Sequence, residues 1–355
     1  MKKIFILSNA SGWGGSEKSM EIISKELCNN NLVYIFVENE KHYNNLQGYS
    51  DNLKVYKFLQ GNSIIFTILN ISYFLINFYL KIPTMVIANT NKSGLYLSLC
   101  NIFTGSKVKK LYFIRDFEWQ KKSLIKFLLS KNAQLCIPSL AVANYASYFS
   151  HSHIVVPDPI NVSYNILPKE KENNKIVEII CVARISKWKG IEYLINACSS
   201  MNKEAFKLKI IGGTDNVEYL DELKSMVNIN DLSNNIEFVS FVSNMDQFYL
   251  KSDIVVSSSI SDFGGPETFG RTIIEGWNFC KPVVSFDCGG PSFIITHNID
   301  GLLVPEKNEK ELARALTKLI ENKELREFLG NNGRKNVVKN YSSDKIAEKL
   351  VKLMD

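Results

Sequence analysis

Two carboxylates stand eight positions apart in Pro266-Glu267-Thr268-Phe269-Gly270-Arg271-Thr272-Ile273-Ile274-Glu275-Gly276. Gly264-Gly265-Pro266 marks a loop and the run from Gly270 to Phe279 has a helical pattern, which places Glu267 before the helix and Glu275 on its second turn. The two would reach different parts of one ligand. Backbone amides around Thr268, Phe269, Gly270 and Arg271 at the helix start would attract phosphate oxygens, because unpaired donors and the helix dipole both favour negative charge. Taken alone, such a pair is an ordinary solvated glutamate and an ordinary helical one; the neighbouring motifs decide between the readings.

In Cys181-Val182-Ala183-Arg184-Ile185-Ser186-Lys187-Trp188-Lys189-Gly190 an apolar strand ends in Arg184, and Lys189 follows just before a new amphipathic run. A guanidinium and an ammonium at the C-terminal end of an α/β strand can neutralise a diphosphate without metal. Gly212-Gly213 and Gly289-Gly290-Pro291 follow further strands and permit close backbone approach. Near the N-terminus, Asn9-Ala10-Ser11-Gly12-Trp13-Gly14-Gly15-Ser16-Glu17 forms a loop between a strand and a helix, similar to a phosphate-binding turn. It has neither the Gly-x-Gly-x-x-Gly spacing of a dinucleotide site nor the Gly-Lys-Ser/Thr ending of a P-loop, which disfavours a dehydrogenase or an ATPase.

Positioning these residues requires more than one core, and 355 residues are enough for two. Apolar residues make up 45% and charged residues 22%, the balance of a globular chain. Short apolar runs alternate with helical periods, the mark of parallel sheets with crossover helices, so the class is α/β. Strands are expected at 3–7, 33–37, 85–88, 110–113 and 135–138, and after a proline-rich stretch at 156–161 and a polar linker at 168–175, again at 177–182, 207–211, 236–238, 254–257, 282–286 and 301–304. Two such units would face each other across a cleft. The first would cover 1–165 and the second 170–340, with a helical segment over 341–355.

The net charge of +6 is modest, but Lys107, Lys109, Lys110, Arg115, Lys121, Lys122, Lys126 and Lys131 fall in one stretch. That is a solvated lysine-rich face or a contact for an anionic membrane surface; no aromatic-interleaved pattern points to nucleic acid. The seven cysteines have no metal or redox spacing and read as buried reduced thiols, and with no cleavable leader they favour the cytoplasm. Residues 64–80 are apolar but interrupted by Asn70, Ser72 and Asn77, and are expected to form a buried helix. His42, His151, His153 and His297 sit in separate loop-like contexts and suggest no triad.

Taken in order, these motifs resemble the retaining glycosyltransferases of family 4, which have the GT-B fold. The resemblance rests on Gly14-Gly15-Ser16-Glu17, Arg184 with Lys189, Glu267 with Glu275, Lys281-Pro282-Val283-Val284, Gly289-Gly290-Pro291 and Asn298-Ile299-Asp300-Gly301-Leu302-Leu303-Val304. It implies two Rossmann-like domains, the first for the acceptor and the second for the nucleotide-sugar, with the last helix crossing back to the first domain. By the same resemblance Arg184 and Lys189 would bind the donor diphosphate, Glu267 the sugar hydroxyls and Glu275 the ribose, while Gly14 and Gly15 close over the phosphates. The expected co-substrate is a nucleotide-sugar, a UDP-sugar foremost, with no other cofactor and no metal; the partner is a saccharide or lipid-linked acceptor, and peripheral membrane docking is a further expectation. Where many relatives carry His-Asp, this chain reads Arg115-Asp116, both expected to face the cleft on the acceptor side, with Asp116 a candidate catalytic group. Ser240 stands where the family often has glycine near the base. A non-catalytic nucleotide-sugar-binding subunit and a sugar-nucleotide epimerase of the same architecture are the alternatives.

Overall fold

The structure, a computed structural model, describes residues 1–61, 63–104, 108–129, 133–150, 152–163, 176–242 and 244–354. The polar linker at 168–175, together with Lys107, Lys131 and His151, lies outside the described residues. The chain divides into two compact units, one of Met1–Asn161 with Tyr341–Asp355 and one of Val162–Asn340.

The first unit runs β1 (Lys3–Ser8), α1 (Gly15–Leu27), β2 (Leu32–Val37), α2 (Glu40–Leu46), β3 (Leu53–Lys57), α3 (Ile64–Lys81), β4 (Met85–Ala88), α4 (Asn91–Thr104), β5 (Lys109–Phe113), α5 (Lys122–Leu128), β6 (Ala133–Ile137), α6 (Ala143–Ser147) and β7 (His153–Val155). Its sheet is parallel, in the order β3-β2-β1-β4-β5-β6-β7. Helices cover both faces, so central strands must be apolar on both sides. In β1, Phe5 and Leu7 enter one core with Phe36, Phe74 and Phe78, while Ile4 and Ile6 enter the other with Met20 and Ile23. Strands β3 and β7 escaped the sequence reading. Both are edge strands, and an edge needs only one buried row: Lys54 and Lys57 of β3 are exposed and break the apolar run.

The second unit runs β8 (Val177–Val182), α7 (Ile191–Ser199), β9 (Phe206–Ile211), α8 (Val217–Ile229), β10 (Ile236–Val239), α9 (Asp246–Lys251), β11 (Ile254–Ser257), α10 (Arg271–Asn278), β12 (Val283–Phe286), α11 (Pro291–Ile294), β13 (Leu302–Val304), α12 (Glu309–Glu321) and α13 (Lys323–Asn336). Its parallel sheet has the order β10-β9-β8-β11-β12-β13. The chain then returns to the first unit as α14 (Ser343–Lys352), which buries Ile346, Ala347 and Leu350 in the core of Met20, Ile23 and Leu27.

One expectation is overturned in the first unit. The apolar segment 64–80 is helical but not buried: within α3 only Asn70, Phe74, Asn77 and Phe78 are. The inward Asn70 is held there because its amide donates to the Leu59 carbonyl and accepts from the Leu59 N–H, both at 2.9 Å.

Candidate active site

In each sheet the strand order reverses once, between β1 and β4 and between β8 and β11, and open α/β sheets bind ligands beyond the C-terminal strand ends at such a point. In the second unit Arg184 and Lys189 follow β8, and Ser258, Ser259 and Glu267 follow β11. Lys189 closes a single 3₁₀ turn that ends at Gly190, with φ +57°. A Cβ at Gly190 would lie 2.2 Å from the Ser258 carbonyl oxygen, so only glycine lets the β8 loop lie against the β11 loop. Ser258 Oγ donates to the Lys189 carbonyl at 2.9 Å and the Ile260 N–H donates to the Trp188 carbonyl at 2.8 Å, fastening the two loops.

This fastening brings together side chains 78 positions apart: Lys189 Nζ pairs with Glu267 Oε1, and the same oxygen accepts from Ser259 Oγ at 3.2 Å. Lys189 and Glu267 are 13% and 19% exposed, so the pair is partly desolvated yet open to a ligand. Arg184 is exposed and makes no hydrogen bond or ion pair among the described residues. Gly212 serves packing behind it: a Cβ there would lie 2.0 Å from the Ala183 carbonyl oxygen. Gly289 and Gly290 serve in the same way against the Glu267 loop, where the Gly290 N–H donates to the Glu267 carbonyl at 2.7 Å.

Gly270, at φ +102°, precedes α10 and offers no side chain to cap it. Phe269 is buried, so its contribution to any ligand is limited to backbone. On α10, Glu275 Oε1 accepts from Arg271 at 3.3 Å and Oε2 accepts from the Tyr249 hydroxyl at 2.9 Å. Burial, reinforced by the Glu275 charge, holds the Tyr249 phenol well above its usual range, which keeps it a donor and orients the carboxylate.

In the first unit the β1–α1 loop is more self-satisfied than its glycines suggested. The Gly14 N–H, expected to face phosphate, donates to Glu17 Oε2 at 2.9 Å, and Ser16 Oγ donates to Glu17 Oε1 at 2.8 Å. This is the reciprocal half of a capping box at the start of α1. Burial pushes the Glu17 carboxyl above its ordinary value. Gly15 is the first residue of α1, where its carbonyl accepts from Ser19 Oγ at 2.8 Å.

Arg115 and Asp116 part company. Asp116 is exposed, but Arg115, expected with it to face the cleft, is buried, ion-paired to Asp158 Oδ1 and set 4.8 Å over the Phe113 ring. Its Nε and Nη2 have no hydrogen-bond partner among the described residues. The physical reason is that the chain stays buried past the end of β5 at Phe113, through Ile114, and Asp158 supplies the counter-charge that lets a guanidinium follow them inside.

The histidines also need correction. His42 lies on α2, fully buried beside Trp13, and His153 begins β7; neither is in a loop. All seven cysteines are free thiols, six of them buried. Among the described residues no cluster of three His, Cys, Asp or Glu could hold a metal ion. Ser259, Tyr249, Asp158 and Glu306 were missed. Of these, Ser259 alone carried a usable signal, its place just past the end of a buried strand. Glu306 accepts from the Ser261 N–H at 2.7 Å and Oγ at 2.9 Å, steadying the loop that leads to Glu267.

Residues 164–336 match the family model for Glycosyl transferases group 1. An uncharacterised glycosyltransferase of Methanocaldococcus jannaschii is 32% identical over 176 residues, or 49% of this chain; the match spans 43% of that protein, less than half its length. The capsular polysaccharide biosynthesis glycosyltransferase CapM of Staphylococcus aureus is 26% identical over 299 residues, 77% of each chain. Among solved structures, HepE of Anabaena in complex with UDP superposes with a TM-score of 0.83 at 18% identity, covering 99% of both chains. The second unit is therefore similar to the Glycosyl transferases group 1 family over residues 164–336, and the two parallel sheets share the GT-B fold.

Proposed function

We propose that this chain is a retaining, metal-independent glycosyltransferase that moves a sugar from a nucleotide-sugar to a saccharide or lipid-linked acceptor in bacterial surface polysaccharide synthesis. The observation that carries this reading is the cluster at the β8/β11 switch point, where Lys189 and Ser259 converge on Glu267, with the uncommitted Arg184 in the same loop after β8 as Lys189. The capsular role in the name of CapM and the UDP held by HepE support the acceptor class and a UDP-sugar donor.

In this reading the donor diphosphate draws the Lys189 ammonium away from Glu267 and takes Arg184 as its second cation. Glu267, released, accepts hydrogen bonds from the sugar hydroxyls, with Ser259 holding its orientation. Glu275, fixed by Tyr249 and Arg271, accepts from the ribose. The bond from the anomeric carbon to the diphosphate oxygen breaks, and the acceptor oxygen bonds that carbon on the face the diphosphate leaves. The acceptor's proton passes to a diphosphate oxygen. Cations already aimed at the leaving group supply the main stabilisation of the transition state. Asp116, exposed on the first unit, is the candidate acceptor-side group.

The test is a calorimetric and thermal-shift screen against UDP-, GDP-, dTDP- and CMP-sugars, beside the Arg184→Ala/Glu267→Ala variant, followed by NMR of the product's anomeric configuration. Binding of one donor by the native chain alone, and a product of unchanged configuration, are expected. An inverted product refutes retention. Donor converted without an acceptor would favour the epimerase, and donor bound but never transferred would favour the non-catalytic subunit.

A further inference from the structure

Helix α3 is built inside out. Its polar Asn70 and Asn77 are buried, while Ile64, Ile65, Ile68, Leu69, Ile76 and Leu80 are exposed, from 49% for Leu69 to 75% for Leu80. At about 100° per residue, these positions with exposed Phe66, Tyr73 and Tyr79 form one arc of roughly 200° that holds no charge and a single small polar residue, Ser72. The helix contains no acidic residue. The opposite face is anchored: Phe74 and Phe78 pack on Phe5, and Phe74 also meets Phe36.

Such an arc has no solution in water, where a surface helix turns its apolar stripe inward. A single partner helix would cover a stripe of about 100°, half of what α3 exposes. A continuous apolar medium covers all of it. By length and composition the helix could cross a bilayer, but its packed aromatic face ties it to the sheet and leaves only the other face to insert. The exposed surface continues onto α4, where the Tyr79 hydroxyl donates to the carbonyl of exposed Phe103.

Charge selects the kind of surface. At the C-terminal end of α3 the Lys3 ammonium donates to the Lys81 carbonyl at 2.8 Å, and the Lys81 ammonium lies 5.4 Å over the Tyr34 ring. Lys54 is the strand partner of Tyr34, so three lysines gather at one end of the apolar arc. We propose that α3 lies in the plane of an anionic membrane leaflet, its outer arc among the acyl chains and Lys3, Lys54 and Lys81 at the headgroups. This inference does not depend on which sugar is transferred, because its readout is binding to lipid.

The experiment is flotation of the full chain with vesicles of neutral phosphatidylcholine and with vesicles carrying 30% phosphatidylglycerol, each for the native protein and for Ile65→Gln/Leu69→Gln/Ile76→Gln. All three substituted side chains are already exposed, so the variant should melt as the native protein does. The expected result is partition onto anionic vesicles that exceeds partition onto neutral ones by about tenfold or more, since each lysine near a charged surface is worth about fivefold. The triple variant is expected to lose roughly a hundredfold. Native protein that stays unbound to both vesicles overturns the proposal, as does a dimer in sedimentation velocity that the triple variant abolishes. Equal binding to neutral and anionic vesicles overturns the role of the lysines.

Discussion

Replacing Glu267 with glutamine separates two effects that an alanine scan would merge. Glu267 is the counter-ion of Lys189 in the absence of donor, and the pair is at least four-fifths buried, so it is more than a solvent-screened surface contact. A diphosphate must compete with Glu267 for that ammonium. Glu267→Gln weakens the competitor and keeps its shape, so the nucleoside diphosphate alone should bind more tightly. If about 1 kcal/mol of the pair is given up on binding, the gain is about fivefold. Sugar transfer should move the other way. A glutamine accepts a hydroxyl hydrogen bond less strongly than a carboxylate, about 0.5–1.5 kcal/mol against about 1.5–3 for a charged acceptor, and the difference of about 1–1.5 kcal/mol lowers kcat/KM by about 5- to 10-fold. Calorimetry with the nucleoside diphosphate found in the donor screen gives the first number, and initial rates with the matching nucleotide-sugar give the second. If Glu267→Gln binds the diphosphate more weakly while transferring sugar at the native rate, the competition between Glu267 and diphosphate for Lys189 is wrong.

Two further outcomes concern the first unit. Burial lowers His42 from its ordinary 6.5 to about 4, against the smaller raising effect of Glu21, so the unfolded chain takes up this proton first as pH falls. His42 then costs nothing above about pH 6.5; the penalty grows by about 1.4 kcal/mol per pH unit down to about pH 4 and levels off below it. In urea melts at pH 7 and pH 5, His42→Leu should lose less stability on acidification than the native chain, by about 2 kcal/mol; equal losses would place the acid sensitivity elsewhere. Arg115→Met leaves the buried Asp158 without its cation and should destabilise by about 3–5 kcal/mol, with Arg115→Met/Asp158→Leu recovering most of that. No recovery in the double variant would mean that Arg115 acts through something other than the pair.

The elements that were readable in the sequence are those whose signal is local. Central strands such as Ile254–Ser257, buried on both faces, announce themselves as continuous apolar runs, and the Gly-Gly-Pro loop before Glu267 punctuates its own helix. Signals that depend on a distant neighbour were not readable. Tyr249 reaches Glu275 from another helix, and Asp158 reaches Arg115 across 43 positions, so neither partner can be inferred from spacing. Two other features leave a local trace in the sequence. Gly14 and Glu17 stand at the offset of a capping box, which claims the amide assigned to a phosphate. Asn70 and Asn77 are seven residues apart and therefore share a helix face, and that coincidence already marked one side of α3 as different from the rest.

The return of the chain as α14 has a consequence for how the molecule is made. The second unit is one uninterrupted stretch, Val162–Asn340, and holds all of its strands before synthesis ends. The first unit starts earlier yet finishes later. Until Ser343–Lys352 has left the ribosome, the core around Met20, Ile23 and Leu27 lacks Ile346, Ala347 and Leu350, and the Ile160 backbone lacks its partners at Tyr341 and Ser343. The half of the protein translated first is thus the half completed last, and a released chain truncated before residue 341 would keep every element of the second unit while one side of the first unit's core stood open to water.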